Sequence, residues 1–125
     1  MIDFQNASII KLSQIKPSDI ATSITPLLIT GEDIISAYKA IRDFVVFTNK
    51  RIISVNVQGI TGKKKDFTSM PYSKISVFSV ETSGVFDLDS ELELYFSGVG
   101  KIKFEFTGSS DITRIAKIIG EYALK

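Results

Sequence analysis

The stretch R-D-F-V-V-F-T-N-K-R-I-I-S-V-N-V-Q, residues 42–58, decides the fold. Two apolar runs, Phe44-Val45-Val46-Phe47 and Ile52-Ile53-Ser54-Val55-Asn56-Val57, flank the polar break Thr48-Asn49-Lys50-Arg51. Short runs rich in β-branched and aromatic residues around a polar turn read as a β-hairpin. Asn49 suits such a turn because Asn tolerates the left-handed backbone that tight hairpins use.

Working outward, residues 34–40 read as a strand after the turn Gly31-Glu32-Asp33. Residues 58–66 form a loop with Gly59 and Gly62, and residues 67–70 a short strand ended by Pro71. Residues 72–82 read as a long strand broken at Ser83-Gly84, with a loop over 85–90. Leu92, Leu94 and Phe96 then alternate with Glu91, Glu93 and Tyr95, and Ile102, Phe104 and Phe106 with Lys101, Lys103 and Glu105. Both are half-buried strands. A three-residue loop at 97–99 sets Glu93 opposite Lys103, whereas a five-residue loop opposes Glu93 to Glu105, so the shorter loop is expected.

Ile112, Ile115, Ala116, Ile119, Tyr122 and Ala123 fall on one helical stripe after Ser110, the expected N-cap, and Asp111. Upstream, Ile20, Ile24 and Leu27 or Leu28 recur at helical spacing from Pro17, with Pro26 expected to end or kink the helix at Thr25. Residues 2–15 carry apolar side chains without a clean period and read as a short helix or an extended arm. The expected architecture is mainly β: six or seven antiparallel strands in two sheets forming a partly open barrel, capped by one C-terminal helix. Residues 1–30 form an N-terminal helical segment or arm, and residues 31–125 the barrel with its helix.

The chain has 125 residues, enough for one domain with a substantial core. Its net charge of +1 gives no global field toward nucleic acid, and no nucleic-acid partner is expected. It has no cysteine and no histidine, which removes thiolate chemistry, the commonest general base and the commonest metal ligand. No signal peptide or membrane-spanning stretch is visible, and a soluble cytoplasmic protein is the expectation.

The segments F-T-N-K-R, Q-G-I-T-G-K-K, I-S-V-F-S-V-E-T-S-G and F-D-L-D-S-E-L, in that order between residues 47 and 92, resemble the bacterial pleckstrin-homology-like (PH-like) domain family. With the helix after Asp111 the resemblance spans roughly residues 18–124. It implies seven strands in two roughly orthogonal sheets with a C-terminal helix. It also implies ring-like homo-oligomers, with pentamers the expected ring, and no established activity. Residues 1–15 and the short turn at 97–100 depart from the family pattern.

Strands with one wet face should alternate, yet Phe44, Val45, Val46, Phe47, Ile52, Ile53, Val77 and Phe78 put apolar groups on both faces. Their outer face needs cover, from a second subunit or from residues 2–28 folding back. Those eight residues are the candidate oligomer interface. Lys63, Lys64 and Lys65, beside Gly59 and Gly62, form the one basic cluster. With Lys50 and Arg51 they are the candidate site for an anionic lipid or phosphate ligand. The glycine spacing is not that of a P-loop, and the loop before Arg42 is short and nearly neutral, so a solvated turn is the competing reading. Asp87, Asp89 and Glu91 alternate as in calcium loops, but Leu92 and Gly98 stand where such a loop needs glycine and glutamate. No metal, cofactor or catalytic residue is expected.

Overall fold

The structure, a computed structural model, describes every residue except 83–88 and 109. The expected break at Ser83-Gly84, most of the loop after it, and Asp87 of the carboxylate run lie outside the described residues. The strands are β1 (Ala7–Ile15), β2 (Ile34–Lys39), β3 (Phe44–Thr48), β4 (Arg51–Gln58), β5 (Lys64–Pro71), β6 (Ile75–Glu81), β7 (Ser90–Phe96) and β8 (Gly100–Phe106). They form one open eight-stranded sheet in the order β5-β4-β3-β2-β1-β8-β7-β6. A helical strap separates β1 from β2: a 3-10 turn over Pro17–Asp19, the helix α1 (Ala21–Ile24) and a 3-10 turn over Thr25–Leu27. Helix α2 (Ile112–Ala123) follows β8.

The fold is mainly β with a C-terminal helix, as expected, with one strand more. The extra strand is β1, drawn from residues that read as a short helix or arm. It pairs antiparallel with β2 and parallel with β8, so the expectation of purely antiparallel pairing fails at this one junction. Parallel neighbours need a long crossover, and here the rest of the barrel supplies it. Between the pairs Ile9–Phe104 and Leu12–Phe106, β1 has two residues, Ile10 and Lys11, where β8 has one, Glu105. This is a β-bulge, and Lys11 takes the left-handed backbone at φ 58°. It turns Ile10 outward and returns Leu12 to full burial.

The hairpin of residues 42–58 forms as read, with Phe47 opposite Ile52 and Phe44 opposite Val55. Its turn does not use a left-handed Asn49. Instead the Thr48 hydroxyl accepts from the backbone N–H of Lys50 and of Arg51, each at 3.0 Å. Asn49 reaches sideways, accepting from Asp33 N at 2.8 Å and donating to Gly31 O at 2.9 Å. The last hairpin takes the three-residue loop, with Glu93 opposite Lys103.

Two cores result. The larger fills the barrel with Tyr38, Val45, Phe47, Ile52, Leu94, Phe104 and Phe106, and α2 closes it with Ile115, Ile118 and Ile119. The smaller lies on the other face of β2–β4, where Phe44, Val46, Ile53 and Val55 meet Ile20 and Ile24 of the strap. Each such buried side chain stabilises by roughly 1.5–3 kcal/mol. Asp111, one residue later than expected, caps α2 by accepting from Arg114 N at 3.2 Å.

Candidate functional site

Arg51 is committed to the fold. Its Nε and Nη2 each donate to Glu32 at 2.9 Å, Nη2 also donates to Leu27 O at 2.6 Å, and Nη1 donates to Ser69 Oγ at 2.9 Å. Glu32 is buried in the turn before β2 and also accepts from the Thr48 hydroxyl at 2.6 Å and from Ile29 N at 3.1 Å. This carboxylate was not foreseen as special, because nothing in the order of residues announces a partner on the far side of a hairpin.

Lys50 and Arg51 stand at the start of β4, whereas Lys63, Lys64 and Lys65 stand beyond its end, where Gln58 pairs with Lys64 and Val57 with Lys65. At about 3.3 Å per residue, the eight-residue strand holds the two groups roughly 20 Å apart. The five cations therefore do not form one site. Lys64 and Lys65 belong to β5 rather than to a loop, and Lys65 Nζ lies 3.5 Å from Ser23 Oγ of the strap. Lys63 and Lys64 are exposed.

Of the eight candidate interface residues, Phe44, Val45, Val46, Phe47, Ile52 and Ile53 are buried within the single chain. Val45, Phe47 and Ile52 point into the barrel, while Phe44, Val46 and Ile53 lie under the strap. The chain's own residues 15–28 supply the cover that their two-faced pattern demands. These six offer no face to a second copy, which corrects the interface expected for them. Phe78 is half-buried against the larger core, and Val77 is 58 % exposed.

Val77 marks the surface that remains. It lines an open groove of about 750 Å³ with Phe4, Tyr95, Phe96, Val99 and Lys101. Val99 is 58 % exposed and Tyr95 37 %. Phe4 packs edge-on against Phe96 with ring centroids 5.7 Å apart, and its carbonyl accepts from Lys101 N at 2.6 Å. Beside the groove Tyr95 OH donates to Glu93 at 2.7 Å, and Lys101 Nζ lies 3.6 Å from Glu93. The Tyr95 hydrogen bond and the neighbouring lysines hold the Glu93 carboxyl below its ordinary range. The groove was missed because it joins residues of three separate segments. The legible signal was Val99, an apolar residue in a glycine-flanked turn that has no interior to point into.

Glu91 and Glu93 sit in cross-strand charge pairs, Glu91 with Lys103 at 3.6 Å and Glu93 with Lys101. Glu105 is held above its ordinary range by partial burial and by Asp89 and Glu91 nearby. Among the described residues no group of three or more acidic side chains is arranged to hold a metal ion. No described helix is long and apolar enough to cross a membrane.

The sequence pattern of the bacterial PH domain family matches residues 3–123. Two Bacillus subtilis (strain 168) proteins are similar: "Uncharacterized protein YjqA", 43 % identical over 86 % of this chain and 87 % of its own, and "Uncharacterized protein YozO", 32 % identical over 82 % and 88 %. Among solved structures, a protein with a pleckstrin-homology domain from Shewanella loihica PV-4 superposes with a TM-score of 0.79 at 37 % identity, covering 92 % of this chain and 99 % of that one. The pleckstrin homology domain from Shewanella amazonensis SB2B gives 0.69 at 41 % identity, covering 90 % and 92 %. The matched region takes in β1, the strap, all the other strands and α2, and the chain belongs to the bacterial PH domain family.

Proposed function

We propose that the chain is a non-catalytic PH-like module that assembles with copies of itself into a ring-like homo-oligomer and presents the assembled surface to protein partners. The observation that carries this reading is the exposed apolar groove of Val77, Tyr95 and Val99 beside the edge strand β6. The two sheet edges differ. β5 is guarded by Lys64, Lys65, Asp66 and Pro71, and Ile2 N donates to Thr68 Oγ1 from across it at 3.2 Å. β6 reads I-S-V-F-S-V-E, with high β propensity, one charge and no proline, and carries just a bulge between Ile75 and Val77. A second copy seated here covers the groove and the edge together. The lack of histidine and cysteine supports the non-catalytic part of the reading. The test is Val77→Lys with Val99→Lys: both positions are surface-exposed, so the variant is expected to keep its fold and lose its self-association. A variant that associates like the wild type removes this surface from the proposal.

A second reading, a peripheral binder of anionic lipid or phosphate ligands, is favoured by one observation. Lys63, in the β4–β5 turn, and Lys64, the first residue of β5, are exposed and take part in none of the ion pairs found among the described residues.

A further inference from the structure

The barrel side of the β4–β5 hairpin changes character along its length. Ile52 pairs with Met70, Ser54 with Thr68, and Asn56 with Asp66. Ile52 and Met70 belong to the larger core. Every second residue of a strand shares a face, so Ser54, Asn56 and Gln58 continue the barrel side of β4, and Thr68 and Asp66 that of β5. On the other face Ile53, Val55 and Val57 stay apolar under the strap. The hairpin therefore turns polar on its barrel side alone, where the usual pattern calls for core residues.

These polar groups line a cavity of about 320 Å³ between the barrel wall and the N-terminal segment. That is the lower end of the roughly 300–1,000 Å³ usual for small-molecule sites. The cavity shares no lining residue with the Val77 groove. Three carboxylates, Asp3, Asp43 and Asp66, open on it, and none of the described residues lining it is lysine or arginine. Asp66 pairs with the Met1 ammonium group at 2.8 Å. Asp43 accepts from Val57 N at 2.9 Å and from Asn56 Nδ2 at 3.2 Å, and Asp3 accepts from Gln5 N at 3.1 Å. Neither takes part in an ion pair found among the described residues. Ile9 and Ile102 give the same cavity an apolar wall.

Ser54 points to a ligand independently. It is 3 % exposed, yet its hydroxyl takes part in none of the hydrogen bonds found among the described residues. A buried hydroxyl without a partner costs stability, and alanine would serve the core better. Departures of this kind are expected where a fold carries a site. Val45 pairs with Ser54, and Asp43 stands two residues before Val45 on the same face. Diagonal neighbours of this kind are within side-chain reach of one bridging group.

We infer that this cavity binds a small aliphatic amine, with its ammonium group bridging the Asp43 carboxylate and Ser54 Oγ and its carbon stem against Ile9 and Ile102. An ammonium group has three donors and no acceptor, which suits a carboxylate and a hydroxyl oxygen together. An anion would meet like charge here.

The test is isothermal titration calorimetry of the full chain with n-butylamine, with uncharged n-butanol, and with Nα-acetyl-lysine amide as the amine of a protein side chain. Wild type, Asp43→Asn and Ser54→Ala are compared, and circular dichroism checks that each variant keeps its fold. Wild type is expected to bind n-butylamine and not n-butanol, and each variant to bind the amine about tenfold more weakly. Ser54→Ala is also expected to raise the melting temperature of the free chain; a lowered one overturns the role given to its hydroxyl. No amine binding by wild type overturns the site, and so does n-butanol binding as tightly as n-butylamine. Binding unchanged in both variants places the amine elsewhere and overturns it too. Tighter binding of the lysine amide than of n-butylamine overturns a free amine in favour of a protein side chain.

Discussion

Arg51 grips Glu32 through two hydrogen bonds of 2.9 Å, one from Nε to Oε2 and one from Nη2 to Oε1. The pair joins the first residue of β4 to the turn that ends the strap, and the same guanidinium holds Leu27 O. It is a clasp that fastens the strap over the smaller core. Burial alone pushes the Glu32 carboxyl up. Hydrogen bonds from Arg51, Thr48 and Ile29 N, with the Arg51 charge, outweigh it and hold the group at about 2.

Because that value lies below the ordinary 4.5, the clasp stabilises fully above about pH 4.5 and is lost as pH falls through about 2. The shift corresponds to roughly 3 kcal/mol. Glu32→Gln should lower stability at pH 7 by about 2–4 kcal/mol and flatten the decline in stability between pH 4.5 and 2. Urea unfolding across a pH series checks both. A wild-type slope retained in the variant places the acid sensitivity elsewhere.

Ile24 is fully buried in the smaller core with Phe44, Val46, Ile53 and Val55. Ile24→Ala should cost about 2–4 kcal/mol without changing the subunit number, because the strap covers its own barrel. Chemical denaturation read beside light scattering separates the two effects. A change in assembly mass at unchanged stability contradicts the self-covering strap.

Gly100 has φ 139°, and a Cβ placed there would lie 2.1 Å from Phe4 O. Gly100→Ala should therefore lift the N-terminal residues off the barrel and cost about 1–3 kcal/mol. Amide exchange at Lys101, whose N–H donates to Phe4 O, should accelerate in the variant. Unchanged protection there shows that the segment accommodates the methyl group.

The central hairpin, the last hairpin's register and α2 were legible because periodicity and charge spoke alike. Glu93 facing Lys103 and the stripe through Ile115 and Ile119 are local patterns that tertiary structure had no cause to override. β1 was not legible, since the bulge at Ile10 and Lys11 breaks the alternation on which a strand reading depends. The two-faced apolar run from Phe44 to Phe47 correctly demanded cover on both sides. Its sequence did not say whether the cover was the strap or a neighbour, because both would present the same isoleucines. The five cations looked like one cluster in sequence, and the length of β4 separates them. The groove assembles from three segments, and short-range spacing carries no such information.

Absolute mass in solution tests the central claim most directly, by light scattering on a sizing column at two concentrations and two salt levels. The β6 groove account predicts a fixed mass of several subunits that salt leaves unchanged, since the contact is largely apolar. A mass of 13.8 kDa, one chain, persisting at micromolar concentration would contradict it.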